Sequence, residues 1–445
     1  MVEWFNSLSL DRQNDLWVVA VAALTNSACA VVGCYLVLRR MSLLGDAISH
    51  AVLPGLVAAF VFSGSLNLWA MFLGAMTVGL LTGALTQSLH RQADVPEDVS
   101  MGVVFTSLFA LGVVLIKRYA HRVDLDPDCV LYGLLEYTAF NLVQFGAYEF
   151  PEALPRMGLV LLVNTAFIVL FWKELLISSF DPAGAETMGI RAGLMHYALL
   201  ALVALTTVAS FEQVGSILVI AMLIVPGATA HLLTDRLGRM LFYSVLIATA
   251  SAIVGHLLSV RLNTNTAGTM ALVVGGLYLA AALFSPRHGV IGALANNIAD
   301  TLRVVREDLL ALLYRWEEIG DKRPLGAREA IHSLGGGWRA VLARFVSQWR
   351  GEVCREGSAL VLTDRGRQRA RALVRSHRLW ESYLSAKLGL PADHVHEPAM
   401  RMEHYIAPEL EAKLTAELSD VPRDPHGRPI PAPPAGGDSG SASRG

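Results

Sequence analysis

Long apolar runs separated by short polar breaks fill the first two thirds of the chain, and the pattern changes character near residue 285. A helix crossing the hydrocarbon core of a bilayer needs about 20 mostly apolar residues, because only its own carbonyls can satisfy its N–H groups there. Nine runs come close to that length: Trp17–Leu38, Ile48–Phe62, Leu68–Leu89, Val99–Ile116, Met157–Ile177, His196–Phe211, Val214–Leu233, Met240–Val260 and Thr266–Phe284. They predict an all-α polytopic membrane domain of about nine transmembrane helices. From Asn297 to about Asp420 the apolar residues instead recur once per helical turn. Leu309, Leu310, Leu313 and Trp316 form one stripe, and Leu373, Trp380, Tyr383 and Leu384 another. Such stripes are the inward faces of amphipathic helices in a soluble domain.

Charge sharpens the boundary. Residues 1–285 hold 13 Lys+Arg and 18 Asp+Glu, whereas the shorter stretch 286–445 holds 23 and 20, giving net charges of −5 and +3 that sum to the −2 of the whole chain. Neither value demands nucleic acid. The chain is 53% hydrophobic with a mean hydropathy of +0.46, a membrane-protein balance. Its four cysteines, Cys29, Cys34, Cys129 and Cys354, show no paired spacing and read as small packing residues. Glu3 and Asp11 precede the first apolar run and no small-residue cleavage pattern follows it, so the first segment is expected to remain as a helix. Placing Arg39, Arg40, Arg91, Lys173, Arg191, Arg236 and Arg239 on the cytoplasmic side sets the N-terminus outside and the charged C-terminal region in the cytoplasm, with Lys117, Arg118 and Arg122 against the trend. No GxxxxGK[S/T] phosphate loop occurs, so nucleotide is expected on another polypeptide and none on this chain.

Within the membrane pattern, Arg39–Gly55 (RRMSLLGDAISHAVLPG) places Asp46 and His50 one turn apart on one helix face. An ionisable pair inside a bilayer is costly and usually faces a polar pathway, and carboxylate with imidazole suits Mn, Fe and Zn. The alternative is that Asp46 caps a helix while His50 bonds a nearby carbonyl. Glu212 and His231 lie near the ends of apolar runs, and His256 reads as a packed histidine outside the site.

The segment Arg39–Gly55 resembles the signature of the permease family of manganese, zinc and iron ABC importers (ABC-3 type). The resemblance continues through Glu97–Ile116, Asp124–Gly133, Phe180–Ile190 (FDPAGAETMGI) and Val214–Leu233. It implies a homodimer or a pair of permeases, cytoplasmic ABC ATPase subunits, an extracytoplasmic metal-binding protein, and a multi-pass location in the cell membrane. Asp46 and His50 match the family's acidic and histidine positions in the ion path. Phe180, Asp181, Pro182, Ala183 and Gly189 fall in the segment that resembles its ATPase-coupling helix.

In the soluble part, HRLWE (His377–Glu381) and HEPAMRMEH (His396–His404) set His377 with Glu381, and Met400 with Glu403 and His404, at helical spacings that let each group converge on one ion. Together with LTDRG (Leu362–Gly366) and DPHGRPIP (Asp424–Pro431), they resemble the iron- and manganese-dependent repressors (DtxR-like). That likeness implies a primary regulatory metal site of Asp308, Met400, Glu403 and His404, and an ancillary one of His377, Glu381 and His396. Met400 departs from the cysteine or glutamate of relatives, and a thioether suits hard Mn(II) poorly. The competing reading is that these are helix surface charges without metal. The expected organisation is a transmembrane permease domain (1–290), a degenerate winged-helix-like domain (300–370), metal-binding and dimerisation helices (371–431) and a disordered tail (432–445).

DNA binding is disfavoured because the turn before the presumed recognition helix reads Gly335-Gly336-Gly337-Trp338 and bulky Trp338 and Trp349 occupy that helix. The function expected is the permease subunit of an ATP-driven importer of Mn, Fe or Zn with a metal-sensing domain, the chain itself not being an enzyme. The alternative is a membrane-tethered, metal-dependent transcriptional regulator.

Overall fold

The computed structural model describes residues 9–41, 44–64, 68–119, 133, 135–145, 148–286, 288–320, 323–418 and 421–433. Cys129, Arg122 and all of the 124–133 motif except Gly133 lie outside the described residues, as do 434–445 of the expected tail. The chain divides into two compact units, Met1–Gly292 and Ala293–Gly445.

The first unit is built from helices α1 (Leu10–Leu38), α2 (Leu44–Ala51), α3 (Leu53–Ser63), α4 (Leu68–Ala93) and α5 (Glu97–Tyr119). A 3₁₀ turn (Leu135–Phe140) and the antiparallel hairpin β1 (Leu142–Phe145) and β2 (Tyr148–Pro151) follow. Then come α6 (Ala153–Leu170), α7 (Trp172–Phe180), α8 (Pro182–Thr187), α9 (Ala192–Leu233), α10 (Leu237–Leu262) and α11 (Thr266–Phe284). Among the described residues seven helices are long and apolar enough to cross a bilayer, and Leu53–Ser63 and Leu218–Leu233 are shorter apolar helices.

Two expected spans change form, and the membrane part is not purely α-helical, since β1 and β2 pair within it. The run Ile48–Phe62 splits at Val52, because Pro54 has no N–H to donate and begins α3 in its first turn. The run Met157–Ile177 ends at Phe171 and restarts as α7. The expected runs His196–Phe211 and Val214–Leu233 remain two helices within α9, parted by a kink at Gly215, whose φ of 72° is open to glycine and strained for side-chain-bearing residues.

Helix α1 occupies the centre of this unit, with Val21, Ala22, Cys29, Val32, Tyr35 and Leu36 fully buried against α6, α9 and α10. Small residues let the backbones close: a Cβ on Gly33 would lie 1.8 Å from the Leu223 carbonyl oxygen, so only glycine fits that crossing. Hydroxyls inside the bundle turn back on their own helices, as Thr25, Thr82, Thr206 and Thr229 donate to the carbonyls four residues earlier. The outward faces stay apolar, with Leu246, Val254 and Leu257 of α10 and Leu272 and Leu279 of α11 exposed, which is the surface a hydrocarbon solvent requires.

Helix α12 (Val290–Ile319) leads into the second unit, which continues with α13 (Ala327–Ser333), α14 (Gly337–Trp349), a hairpin of β3 (Val353–Glu356) and β4 (Ala359–Leu362), α15 (Asp364–Leu388), α16 (Ala392–Met402) and α17 (Pro408–Glu417). Its main core joins Leu309, Leu310 and Leu313 to Leu325, Ala330, Val353, Leu360, Leu362 and Ala370. A second cluster packs Leu379, Leu414 and Leu418 with Trp380 and Tyr383. The LTDRG motif starts α15: the Thr363 side chain accepts the Gly366 N–H at 3.1 Å, and Gly389 at φ 67° closes the other end.

Candidate metal centres

In the membrane unit, α2 carries both Asp46 and His50, one turn apart. The Asp46 side chain lies outside the described residues. The His50 ring is half-buried and meets two aromatic rings of α5, Phe105 at 6.3 Å and Phe109 edge-on at 6.0 Å between centroids. His256, left outside the expected site, reaches across to α1: its Nε2 lies 3.1 Å from Asp15 Oδ1.

The segment Phe180–Ile190 forms a compact knuckle. Asp181 caps α8 by accepting the Gly184 N–H at 2.8 Å, Pro182 opens the helix, Ala183 lies exposed in its first turn and Gly189 ends the turn at φ 82°. Phe180 and Met188 project outward, while Arg39 at the end of α1 donates to the Ser178 and Ser179 hydroxyls of α7 at 3.0 and 3.1 Å. The knuckle is thus tied to the central helix of its unit.

The second unit gathers two groups whose donor atoms lie within 4.8 Å of one another: His377, Glu381 and His396, and Asp308, Glu403 and His404. In the first, His377 Nε2 is 2.9 Å from Glu381 Oε1 and 3.2 Å from His396 Nδ1, and His396 Nδ1 is 2.8 Å from the same carboxylate oxygen. Ligands about 2.1 Å from an ion and at right angles stand about 3 Å apart, so this triangle fits one face of a coordination shell. Two imidazole nitrogens and a carboxylate form a donor set accepted by Mn, Fe or Zn. Burial works against the Glu381 charge, but the hydrogen bonds and charges of His377 and His396 overcome it and hold the carboxyl down at about 2.

In the second group, His404 Nε2 is 3.1 Å from Asp308 Oδ1 and 3.7 Å from Glu403 Oε1. Its Nδ1 faces Glu307 Oε2 at 3.0 Å. Burial opposes protonation of His404, yet Asp308, Glu307 and Glu403 outweigh it and raise the ring to about 9. The donors again fit a divalent cation, one imidazole and two carboxylates, with Glu307 orienting the ring from behind. Met400 is half-exposed on α16, one turn ahead of Glu403. The expected helical run through Met400, Glu403 and His404 stops at Met402, so Glu403 is the helix cap and His404 sits in the turn beyond, where it reaches α12.

One residue joins the groups. Glu403 Oε2 lies 2.6 Å from His377 Nδ1, the nitrogen turned away from Glu381, and 3.4 Å from Arg315, while Oε1 faces His404.

Residues 13–285 match the ABC 3 transport family, which covers more than half of the chain. The chain belongs to the ABC 3 transport family. Residues 363–432 of this ABC 3 protein match the iron dependent repressor, metal binding and dimerisation domain. It is 46% identical over 278 residues to the manganese transport system membrane protein MntD of Bacillus subtilis (strain 168), covering 62% of this chain and 94% of that one. It is also 37% identical over 362 residues to the zinc transport system membrane protein TroD of Treponema pallidum (strain Nichols), covering 80% and 97%, a length that cannot be confined to the first unit. Among solved structures, PsaBC from Streptococcus pneumoniae in complex with Fab matches with a TM-score of 0.52 and 29% identity over 65% of this chain and 98% of that one. The family and the apolar helices together make this a multi-pass membrane protein.

Sequence reasoning missed several groups around the second-unit clusters of this ABC 3 protein. Glu307 precedes Asp308 beside the buried Leu309–Leu310 stripe, and an acid placed there was the available signal. His426, in the DPHGRPIP turn, brings its Nε2 to 3.6 Å from Glu381 Oε1. The same turn is held by Asp424, whose Oδ1 accepts the N–H groups of His426 and Arg428 at 3.0 and 2.8 Å. Arg315 on Glu403 and Arg369 on Glu307 and Glu352 carried no local signal, because each pairing crosses 12 residues or more of sequence.

Proposed function

We infer that this chain is the permease subunit of an ATP-driven importer for a divalent transition metal, Mn, Fe or Zn, with a metal-sensing region at its C-terminal end. The observation that carries the reading is the match of residues 13–285 to a transport family in a chain that also sets two donor triads of the right chemistry in its soluble unit. Relatives named for manganese and zinc transport support the substrate class. The ion path runs past Asp46 and His50, in a membrane part of nine spans when the two shorter apolar helices are counted with the seven long ones. ATP is hydrolysed on separate cytoplasmic ABC ATPase subunits, which engage the knuckle 180–190 through exposed Phe180 and Met188. An extracytoplasmic metal-binding protein delivers the ion, and a second permease subunit completes the channel. The soluble unit is cytoplasmic, with a winged-helix-like part (300–370) and metal-binding and dimerisation helices (371–431).

In that soluble unit a bound divalent cation would supply positive charge among Asp308, Glu381 and Glu403. Glu307 holds the Nδ1 side of His404 so that Nε2 faces Asp308, and Glu403 holds His377 from the side opposite Glu381. Rising internal metal fills these donors and lowers transport.

The test is uptake of radioactive Mn, Fe and Zn in competition, in cells carrying this chain with its ATPase. Saturable uptake of one ion, lost in Asp46→Ala and His50→Ala chains that still reach the membrane, is the expected result. Unaltered uptake in both variants would place the ion path elsewhere.

A further inference from the structure

Helix α14 is packed with its apolar side out. Ala340, Ala343 and Ser347 form its buried face, whereas Trp338, Val341, Leu342, Phe345 and Trp349 are exposed, Trp338 at 58% and Trp349 at 86%. At 3.6 residues per turn those five fall within an arc of about 100°. Arg339 and Arg344 flank the stripe on either side and lie over its rings, Arg339 at 5.6 Å from the Trp338 centroid and Arg344 at 4.5 Å from that of Phe345. No acidic residue occurs between Glu329 and Glu352, while Arg339, Arg344 and Arg350 do. The apolar surface continues onto the start of α12, where Leu294, Ile298 and Leu302 line a groove shared with Trp338.

A helix with an outward apolar stripe, tryptophans at both ends and flanking arginines has the composition of one that lies in the plane of a membrane interface. Arginine stems bury beside apolar surface while their heads reach phosphates. Reading DNA demands polar groups aimed at base edges, and the outward stripe of α14 offers none. The chain also supplies the surface: the last long apolar helix ends at Phe284 and the second unit begins at Ala293. Nine residues span at most about 30 Å, so this unit is tethered beside a bilayer.

We propose that the outward face of α14, with the start of α12, docks on the anionic lipid headgroups of the adjoining leaflet. Docking there withdraws this helix from nucleic acid and holds the metal clusters of the same unit at the membrane surface. The binding energy combines burial of the stripe with attraction of the arginines to acidic lipid, so it weakens with salt.

The full chain is placed in nanodiscs of phosphatidylglycerol and phosphatidylcholine, some lipids bearing a nitroxide about 5–10 Å below the phosphates. Subtracting the fluorescence of the Trp338→Ser/Trp349→Ser chain isolates these two residues from the other tryptophans. Their emission is expected to shift to shorter wavelength and to lose intensity to the nitroxide, with less quenching in phosphatidylcholine alone and in the Arg339→Gln/Arg344→Gln chain. Trp338, Trp349 and Arg339 are exposed and Arg344 is half-buried, and unaltered Mn or Zn binding by the clusters of the second unit verifies the fold of both double variants. Short-wavelength emission without quenching would show that protein, such as a second copy, covers the face. Long-wavelength emission that shifts only on adding duplex DNA would make it a nucleic-acid surface. Equal quenching in neutral lipid would remove the acidic headgroups. Each of these three results overturns the proposal.

Discussion

The two units handle ionisable groups in opposite ways. Among the described residues of the membrane unit they stand apart: His50 on α2 lies against aromatic rings, and Asp15 pairs with His256 between α1 and α10. In the second unit Glu307, Asp308, Glu381, Glu403, His377, His396 and His404 interlock, and Arg306, Arg315, Arg369 and Arg378 pair with buried carboxylates around them. On the proposed reading that the ion path runs past His50, few ligands and aromatic neighbours such as Phe105 and Phe109 suit a path that must release its ion. On the same reading the second unit is a sensor, which must hold an ion long enough to report it, and several convergent donors oriented from outside suit that role. Crowding charge is also possible only where arginines can be brought in from other helices, which hydrocarbon discourages.

The largest test of the contrast separates the units. Asp46→Ala or His50→Ala is expected to abolish uptake while leaving Mn or Zn titration of the soluble clusters unaltered; a joint loss would end the division of labour. Next, His396→Ala, at a position with a half-exposed side chain, should weaken metal binding by the soluble unit by at least the ~10–100-fold typical of outer partners, with uptake at low internal metal intact. Calorimetry showing unchanged affinity would remove His396 from the ligand set.

A smaller loss, roughly 10-fold, is expected from Glu307→Gln, which keeps the shape behind His404 but not the charge. The comparison that matters is Glu307→Ala, which should lose more because a buried partner is then missing altogether.

The smallest effect is on stability. His404 is raised from 6.5 to about 9, so in metal-free protein its protonated form contributes stability that is complete below pH 6.5 and lost as pH rises through about 9. Glu381 has the opposite sign: held at about 2 against an ordinary 4.5, it contributes above pH 4.5 and loses that contribution as pH falls through about 2. In chelator, the melting temperature of the soluble unit should therefore decline between pH 6.5 and 9, and His404→Gln should flatten that decline.

How much was legible follows from distance along the chain. Apolar runs and the one-turn spacings of Asp46 with His50 and of His377 with Glu381 are local facts, and local geometry fixes them. The break at Val52 was written in Pro54, and the one in α9 in Gly215, but runs of apolar residues hide such interruptions from a hydropathy reading.

What the sequence could not decide was which distant groups meet. His404 finds Glu307 and Asp308 nearly a hundred residues earlier, and Glu403 turns one oxygen to each cluster, because α16 ends at Met402 and lets the chain swing toward α12. Nor could periodicity tell which side of α14 faces inward. A stripe of Trp, Val, Leu and Phe ordinarily marks the buried side, yet here the unit closes on Ala340, Ala343 and Ser347, whose small side chains permit close packing, and leaves the large ones outside. By itself the sequence determined the membrane-spanning pattern, the boundary near residue 285 and the donors offered for metal, since each depends on neighbours along the chain. Tertiary structure alone decided the assembly of those donors and the exposure of α14, since both depend on how separate helices pack.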